Sequence, residues 1–108
     1  MKIGITQLCM QGPIEEVAAK AAEWGYEVLE IGMEKEKGIL NLSTTEQEKL
    51  RMAEVVEKAG LEVTSIVASP VQQSGSMLHP DEVIRRNALD ACKDVLDTAA
   101  LMGADTIL

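Results

Sequence analysis

One acidic residue, Glu30, lies inside a short apolar segment and is the first candidate for a chemical role. In Val28–Ile31 the side chains of an extended chain point alternately to opposite faces. If Leu29 and Ile31 face covering helices, Glu30 faces the other side of the sheet. A carboxylate in that position is costly unless it is paired or hydrated. Two interpretations stay open: Glu30 binds a hydroxyl-rich ligand, or it is a structural carboxylate bonded to a neighbouring strand or cation.

Three more polar residues stand where apolar segments end, and their hydroxyl or amide groups suit the same kind of ligand. Thr6 and Gln7 close the first apolar segment, and Ser69 closes the third one just before Pro70. Polar residues are common at strand ends, so a purely structural role stays open for each. We expect Glu30, Thr6, Gln7 and Ser69 to form the substrate-binding set.

The sequence predicts no catalytic residue and no metal ligand. It contains no HExxH, CxxC, GxGxxG or GxxxxGK[ST] pattern. A metal cage usually draws on several histidines and carboxylates, and His79 is the only histidine. Because it precedes Pro80 at a predicted helix start, we expect His79 to be structural. Cys9 has no base partner visible in the sequence and is expected to be an inert thiol, and Cys92 is expected in the core.

Strand and helix patterns alternate along the chain, which favours a parallel sheet with right-handed crossovers. The predicted strands cover 2–7, 26–31, 61–68 and 104–108, and the predicted helices cover 13–24, 44–59 and 80–102. Gly25, Gly60 and Gly103 each separate a helical pattern from an apolar run, as expected for glycine that ends a helix. Three apolar stripes at helical spacing predict the buried faces: Ile14, Val17, Ala18, Ala21 and Ala22; Leu50, Ala53 and Val56; Leu89, Cys92, Leu96, Ala99 and Ala100.

The strand-to-helix connections are longer than the helix-to-strand connections. They span 8–12, 32–43 and 69–79, whereas each return joint has one or two residues. Ligands of parallel α/β folds bind at the carboxyl ends of the strands, so the long connections indicate a site at that end. Tolerated insertions are the alternative explanation. Within the second connection, 34–38 is either a solvated loop or a lid.

Composition bounds the possible functions. The 108 residues fit one domain, 1–108, with 46% hydrophobic and 26% charged residues. The net charge of −8 disfavours nucleic acid and anionic membranes as partners. No signal peptide pattern is visible at the N-terminus, and two cysteines are too few for a disulfide framework. We expect a reduced, cytoplasmic protein.

Several segments together resemble the sugar phosphate isomerase/epimerase superfamily, the xylose isomerase-like TIM barrels. They are Met1–Thr6, Gly25–Gly32, Ala59–Val63 leading to Ser69-Pro70, and Asp97–Ile107. The resemblance implies an α/β fold of parallel β/α units, with four strands and three helices forming the first half of a TIM barrel. It implies an isomerase or epimerase that moves a proton next to a carbonyl through an enediolate.

The resemblance also implies cofactors and partners. The complete enzyme is expected to use a divalent metal (Mn, Mg, Co or Zn) held by residues of the second half, and none is expected in this chain. The expected substrate is a small sugar or sugar phosphate, and the chain alone is expected to be inactive.

Two other functions stay open. A half-barrel with open edges and no catalytic activity would self-associate, so we expect a homo-oligomer. A small flavodoxin-like binding module is the further alternative. Within the superfamily, apurinic endonucleases are disfavoured by the negative charge.

Overall fold

The computed structural model describes all 108 residues as one four-stranded parallel sheet with helices on one face. The strands are β1 (Gly4–Thr6), β2 (Val28–Met33), β3 (Glu62–Ala68) and β4 (Thr106–Ile107), and they lie side by side in chain order. The helices are α1 (Ile14–Glu23), α2 (Glu46–Lys58), α3 (Ser69–Gln73) and α4 (Glu82–Met102). This arrangement is that of half a TIM barrel and confirms the predicted fold class.

Local chemistry sets the helix ends. The Thr45 hydroxyl accepts a hydrogen bond from the Glu48 N–H at 3.2 Å, and Asp81 accepts one from the Val83 N–H at 2.8 Å. Each bond satisfies a backbone donor that has no partner inside its helix. Gly103 ends α4 with a φ of +78°, in the left-handed region that glycine adopts without a Cβ clash. The chain therefore turns from α4 into β4 within a few residues.

The core lies between the sheet and the helices. Leu29, Ile31 and Ile66 have no exposed surface, and they lie in the same cluster as Val56 of α2 and Val95 of α4. Leu29 and Ile31 therefore face the helices, which is the condition under which Glu30 was expected on the other side. Val28 and Glu30 consequently lie on the other face, which corresponds to the inside of a barrel.

A β-bulge interrupts the pairing of the two central strands. Leu29 pairs with Val63, but Glu30 pairs with Ser65, so Thr64 is the extra residue. The bulge shifts the alternation of β3, and Ser65 consequently comes to the same face as Glu30. None of the helices is both long and apolar enough to cross a bilayer.

Several predicted boundaries are wrong. Gln7 lies in a 3₁₀ turn, Gln7–Cys9, and not at the end of a strand. Ser69 begins helix α3, inside the region predicted to be a loop, so the chain has four α-helices and not three. β2 continues to Met33 because Gly32 and Met33 still pair with β3. Pro70 near the start of α3 suits a helix start, because its missing N–H would have no partner there.

Parts of the predicted apolar stripes are also wrong. Leu50, Leu89 and Leu96 are each about half exposed, and Cys92 is only partly buried. The buried face of α4 is displaced by one position; it comprises Ala88, Ala91, Val95, Thr98, Ala99 and Met102. Helix periodicity gives the spacing of a buried face, but the neighbours decide how far around the helix it extends.

Candidate functional site

A row of polar side chains crosses the inner face of the sheet at the middle of its two central strands. Thr6 pairs with Glu30, Glu30 with Ser65, and Ser65 with Thr106. Residues paired in this way point to the same face of a sheet. The four strands therefore contribute three hydroxyls and one carboxylate to a single line.

Glu30 is fixed by its neighbour on β3. The Ser65 hydroxyl donates a hydrogen bond to Oε2 of Glu30 at 2.7 Å, and Ser65 is only 9% exposed. The other carboxylate oxygen accepts no hydrogen bond from the protein, and Glu30 is half-buried. The strand-to-strand bond is the one expected of a structural carboxylate. The remaining oxygen can still accept a hydrogen bond from a ligand.

The inner face carries a shallow, open depression around this row. It is lined by Thr6, Val28, Glu30, Thr64 and Ser65, with the backbone of Gly4 and Ile5. A different depression lies at the amino end of β3, near Leu61 and Asp105. We take the inner-face depression as the candidate site because the Glu30 carboxylate, with one oxygen free of hydrogen bonds to the protein, lies in it.

Thr6 and Gln7 lie together where β1 ends. The Thr6 hydroxyl accepts a hydrogen bond from the Leu8 N–H at 3.4 Å and caps the 3₁₀ turn. The Gln7 side-chain oxygen accepts one from the Gly32 N–H at 3.3 Å and links the turn to β2. The amide N–H groups of Gln7 and the hydroxyl proton of Thr6 donate no hydrogen bond within the protein.

Ser69 is separate from the polar row. It is the first residue of α3, half-buried, and its side chain makes no hydrogen bond in the protein. The structure places Thr6 beside Glu30 in mid-β2 and Gln7 beside Gly32 further along β2, whereas Ser69 lies beyond the end of β3. Ser65 was not among the predicted site residues, because β3 is apolar on both sides and the bulge changes which of its residues face inward.

Hydrogen bonds of the Gln73 side chain with Glu34 and Lys35, here called the clasp, hold the connection after β2. Gln73 of α3 donates a hydrogen bond to the Glu34 carboxylate at 2.5 Å and accepts one from the Lys35 N–H at 2.7 Å. Glu34 also forms a backbone bridge with Asn41. These bonds tie both ends of the 34–41 segment to the carboxyl end of the sheet. A lid function for this segment stays a prediction.

The remaining candidates lie outside the row. His79 accepts a hydrogen bond from the Asp81 N–H at 3.0 Å and stands at the start of α4. Cys9 is exposed and Cys92 partly buried, and neither forms a disulfide. No three His, Cys, Asp or Glu side chains lie close enough together to hold a metal ion. The residues present therefore do not fit a metal centre.

Comparisons with known proteins agree with this architecture. The model of a family described as the xylose isomerase-like TIM barrel matches residues 18–108. A structure of D-psicose 3-epimerase with D-tagatose from Clostridium cellulolyticum H10 superposes with a TM-score of 0.74 at 21% sequence identity. A structure of D-psicose 3-epimerase in the presence of D-fructose superposes with a TM-score of 0.74 at 16% identity. No curated protein matches the sequence.

The superpositions cover nearly all of this chain but only part of each epimerase chain. Each superposition covers 99% of this chain and 36% of the epimerase chain. The chain thus spans about a third of the length of these epimerases. At these identities the likeness shows a common fold.

Proposed function

Since the chain belongs to the xylose isomerase-like TIM barrel family, we propose that the complete protein is a metal-dependent isomerase or epimerase of a sugar or sugar phosphate. The 108 residues form one wall of its substrate pocket. The observation that carries the proposal is the polar row on the inner face, with Glu30 fixed by Ser65 at 2.7 Å and one carboxylate oxygen free. D-Psicose 3-epimerases with the same fold support a sugar as the substrate class.

The polar row suits the hydroxyl groups of a sugar. A fixed carboxylate oxygen accepts a hydrogen bond from a hydroxyl, and a charge-assisted bond of this kind is stronger than one between neutral groups. The Thr6 hydroxyl, paired across from Glu30, adds a donor beside that acceptor. We assign substrate binding to Glu30 and Thr6, with the free amide of Gln7 and the hydroxyl of Ser69 at the pocket edge.

These residues position the substrate and are not assigned to proton transfer. Glu30 uses one oxygen for Ser65, and no histidine or second carboxylate belongs to the row. The donor set does not hold a metal ion, so the metal ligands and the acid–base groups are assigned to residues outside this chain. The 108 residues alone are accordingly proposed to be inactive.

The cysteines and the net charge indicate the cellular compartment and the partners that the protein does not bind. Two unpaired cysteines suit a reducing compartment, and we place the protein in the cytoplasm. The net charge of −8 opposes binding to nucleic acid or anionic membranes.

Activity measurements on two polypeptides test the proposal. One is this 108-residue chain, and the other is the product of the whole reading frame that contains it. Each is assayed with Mn²⁺ or Mg²⁺ for ketose epimerisation and aldose–ketose isomerisation over a panel of free and phosphorylated sugars. We expect turnover only from the longer product. Turnover by the 108 residues alone, or none by the longer product on any sugar, contradicts the proposal.

A further inference from the structure

The Leu8 side chain lies over Gly32 on the inner face of β2. Gly32 comes two residues after Glu30, so it belongs to the same face and is nearer the carboxyl end of the strand. A Cβ atom added to Gly32 would lie 2.7 Å from Cγ of Leu8 and closer still to its Cδ2. Such distances are too short for carbon atoms that are not bonded. The glycine therefore makes room for the Leu8 side chain on the inner face.

Hydrogen bonds of the 3₁₀ turn fix Leu8 in this place. Its N–H donates to the Thr6 hydroxyl at 3.4 Å, and the Gly32 N–H donates to the Gln7 side chain at 3.3 Å. The Met10 N–H donates to the Gln7 carbonyl at 2.9 Å, and the Met10 side chain is buried in the core. The turn is thus attached to β2 on one side and to the core on the other.

The free surface of Leu8 faces the interior of the barrel. Leu8 is 50% exposed, and the strands that complete a barrel would surround this surface across the interior without pairing with it. TIM barrels bind their substrates at the carboxyl ends of the strands. Gly32, beneath Leu8, lies about 7 Å along the strand from Glu30, a distance that the carbon chain of a sugar can bridge.

We propose that Leu8 is a specificity-determining residue of the substrate pocket, an inference that rests on the proposed function. Leu8 contacts the carbon chain of the sugar beside the hydroxyl group that Glu30 binds. Together with Glu30 it excludes a phosphate group from this part of the pocket. A phosphorylated substrate would consequently carry its phosphate at the end that points away from this wall.

The surroundings of Leu8 oppose a phosphate group. Glu30 is the only charged residue that lines the inner-face depression, and its charge is negative. Proteins commonly bind phosphate through arginine or lysine side chains. The 34–37 segment that follows β2 contains two lysines and two glutamates and has no net charge. An apolar side chain next to a carboxylate therefore favours an uncharged part of the sugar.

Steady-state kinetics of the complete protein, the product of the whole reading frame, test the proposal in the presence of Mn²⁺ or Mg²⁺. The substrates are D-psicose, D-fructose and D-tagatose, each as the free sugar, the 1-phosphate and the 6-phosphate. Leu8→Lys places a cation on the wall. It should raise kcat/KM for one of the two phosphates, relative to the free sugar, at least about tenfold. The ratio for the phosphate at the other end should change less than about threefold.

Truncation of Leu8 and substitution of Gly32 test the contact itself. Leu8→Ala should lower kcat/KM for the free sugar about tenfold, because the apolar contact is lost. Gly32→Ala should cause a similar decrease, because its Cβ displaces the Leu8 side chain. Leu8→Ala removes every atom that this Cβ would meet, so the double variant should be no worse than Leu8→Ala alone. Additive losses in the double variant overturn the proposal.

Leu50→Lys and Leu50→Ala are the matched controls, because Leu50 is also 50% exposed but lies on α2, away from the inner face. Both should leave the kinetic constants unchanged, and circular dichroism checks that every variant retains its helices. No turnover of any sugar by the unaltered protein overturns the proposed function and this inference with it. Turnover with phosphate ratios that Leu8→Lys leaves unchanged, or changes equally at both ends, overturns the inference alone.

Discussion

The hydrogen bond between Ser65 and Glu30 gives a stability prediction with a matched control. The Ser65 hydroxyl is almost buried and donates to the Glu30 carboxylate at 2.7 Å. Hydrogen bonds to charged groups contribute about 1.5–3 kcal/mol to stability. Since Glu30 is half-buried and its charge is partly screened by water, we expect Ser65→Ala to destabilise the chain by about 1 kcal/mol. For a domain near this size, that lowers the midpoint of thermal unfolding by roughly 4–8 °C.

Ser69→Ala is the control because it makes the same chemical change in a half-buried serine whose side chain has no hydrogen bond. It should alter the free energy of unfolding by less than about 0.5 kcal/mol. The assay is urea unfolding followed by circular dichroism, completed by Glu30→Gln and the double variant with Ser65→Ala. The double-mutant cycle isolates the coupling between the two side chains. Equal effects of the two serine substitutions, or a coupling of zero, would refute the reasoning.

Three further predictions use the same structure. Arg51 forms ion pairs with Glu15 and Glu48 and holds the pKa of both carboxyls below their ordinary value of 4.5. The resulting stabilisation is present above that pH and is lost as the pH falls through the lowered pKa values. The decrease in the thermal unfolding midpoint caused by Arg51→Ala should therefore become smaller in acid, and a decrease that does not depend on pH contradicts the prediction. Gly103→Ala should cost about 1–2 kcal/mol in urea unfolding because φ is +78°, and an unchanged midpoint is the contrary result. Gln73→Ala should speed tryptic cleavage at the lysines of the connection before α2, whereas unchanged cleavage rates would show that the clasp does not restrain it.

Helix ends and the orientation of β2 could be predicted from the sequence because each depends on local chemistry. Thr44 or Thr45 can cap the helix that follows them, and in the structure Thr45 does so; Gly103 is suited to the left-handed residue that ends α4. In β2 the alternation is clear, since Leu29 and Ile31 flank a carboxylate that would be costly in a dry core. The helix ends therefore help to mark the alternation of helices and strands that predicts a parallel sheet, and β2 indicates the face of Glu30 once Leu29 and Ile31 are placed against the helices.

The missed features depend on neighbours that local patterns do not reveal. The partner of Glu30 was not predicted because β3 is apolar on both sides, and only the bulge at Thr64 brings Ser65 to the inner face. Leu89 and Leu96 have the spacing of a buried stripe, yet both are about half exposed because no element of this chain packs over them. Ser69 looked like a strand end because it follows an apolar run, and Pro70 fits a strand-to-loop junction as well as the start of a one-turn helix.

The kinetics of Glu30→Gln in the complete protein test most directly whether this inner wall binds the substrate. Glu27→Gln is the control, because Glu27 is an exposed carboxylate just before the amino end of β2. Losing a charge-assisted hydrogen bond to a sugar hydroxyl should raise KM about tenfold and change kcat less, with Glu27→Gln unchanged. The same KM for both variants and the unaltered protein would contradict the account.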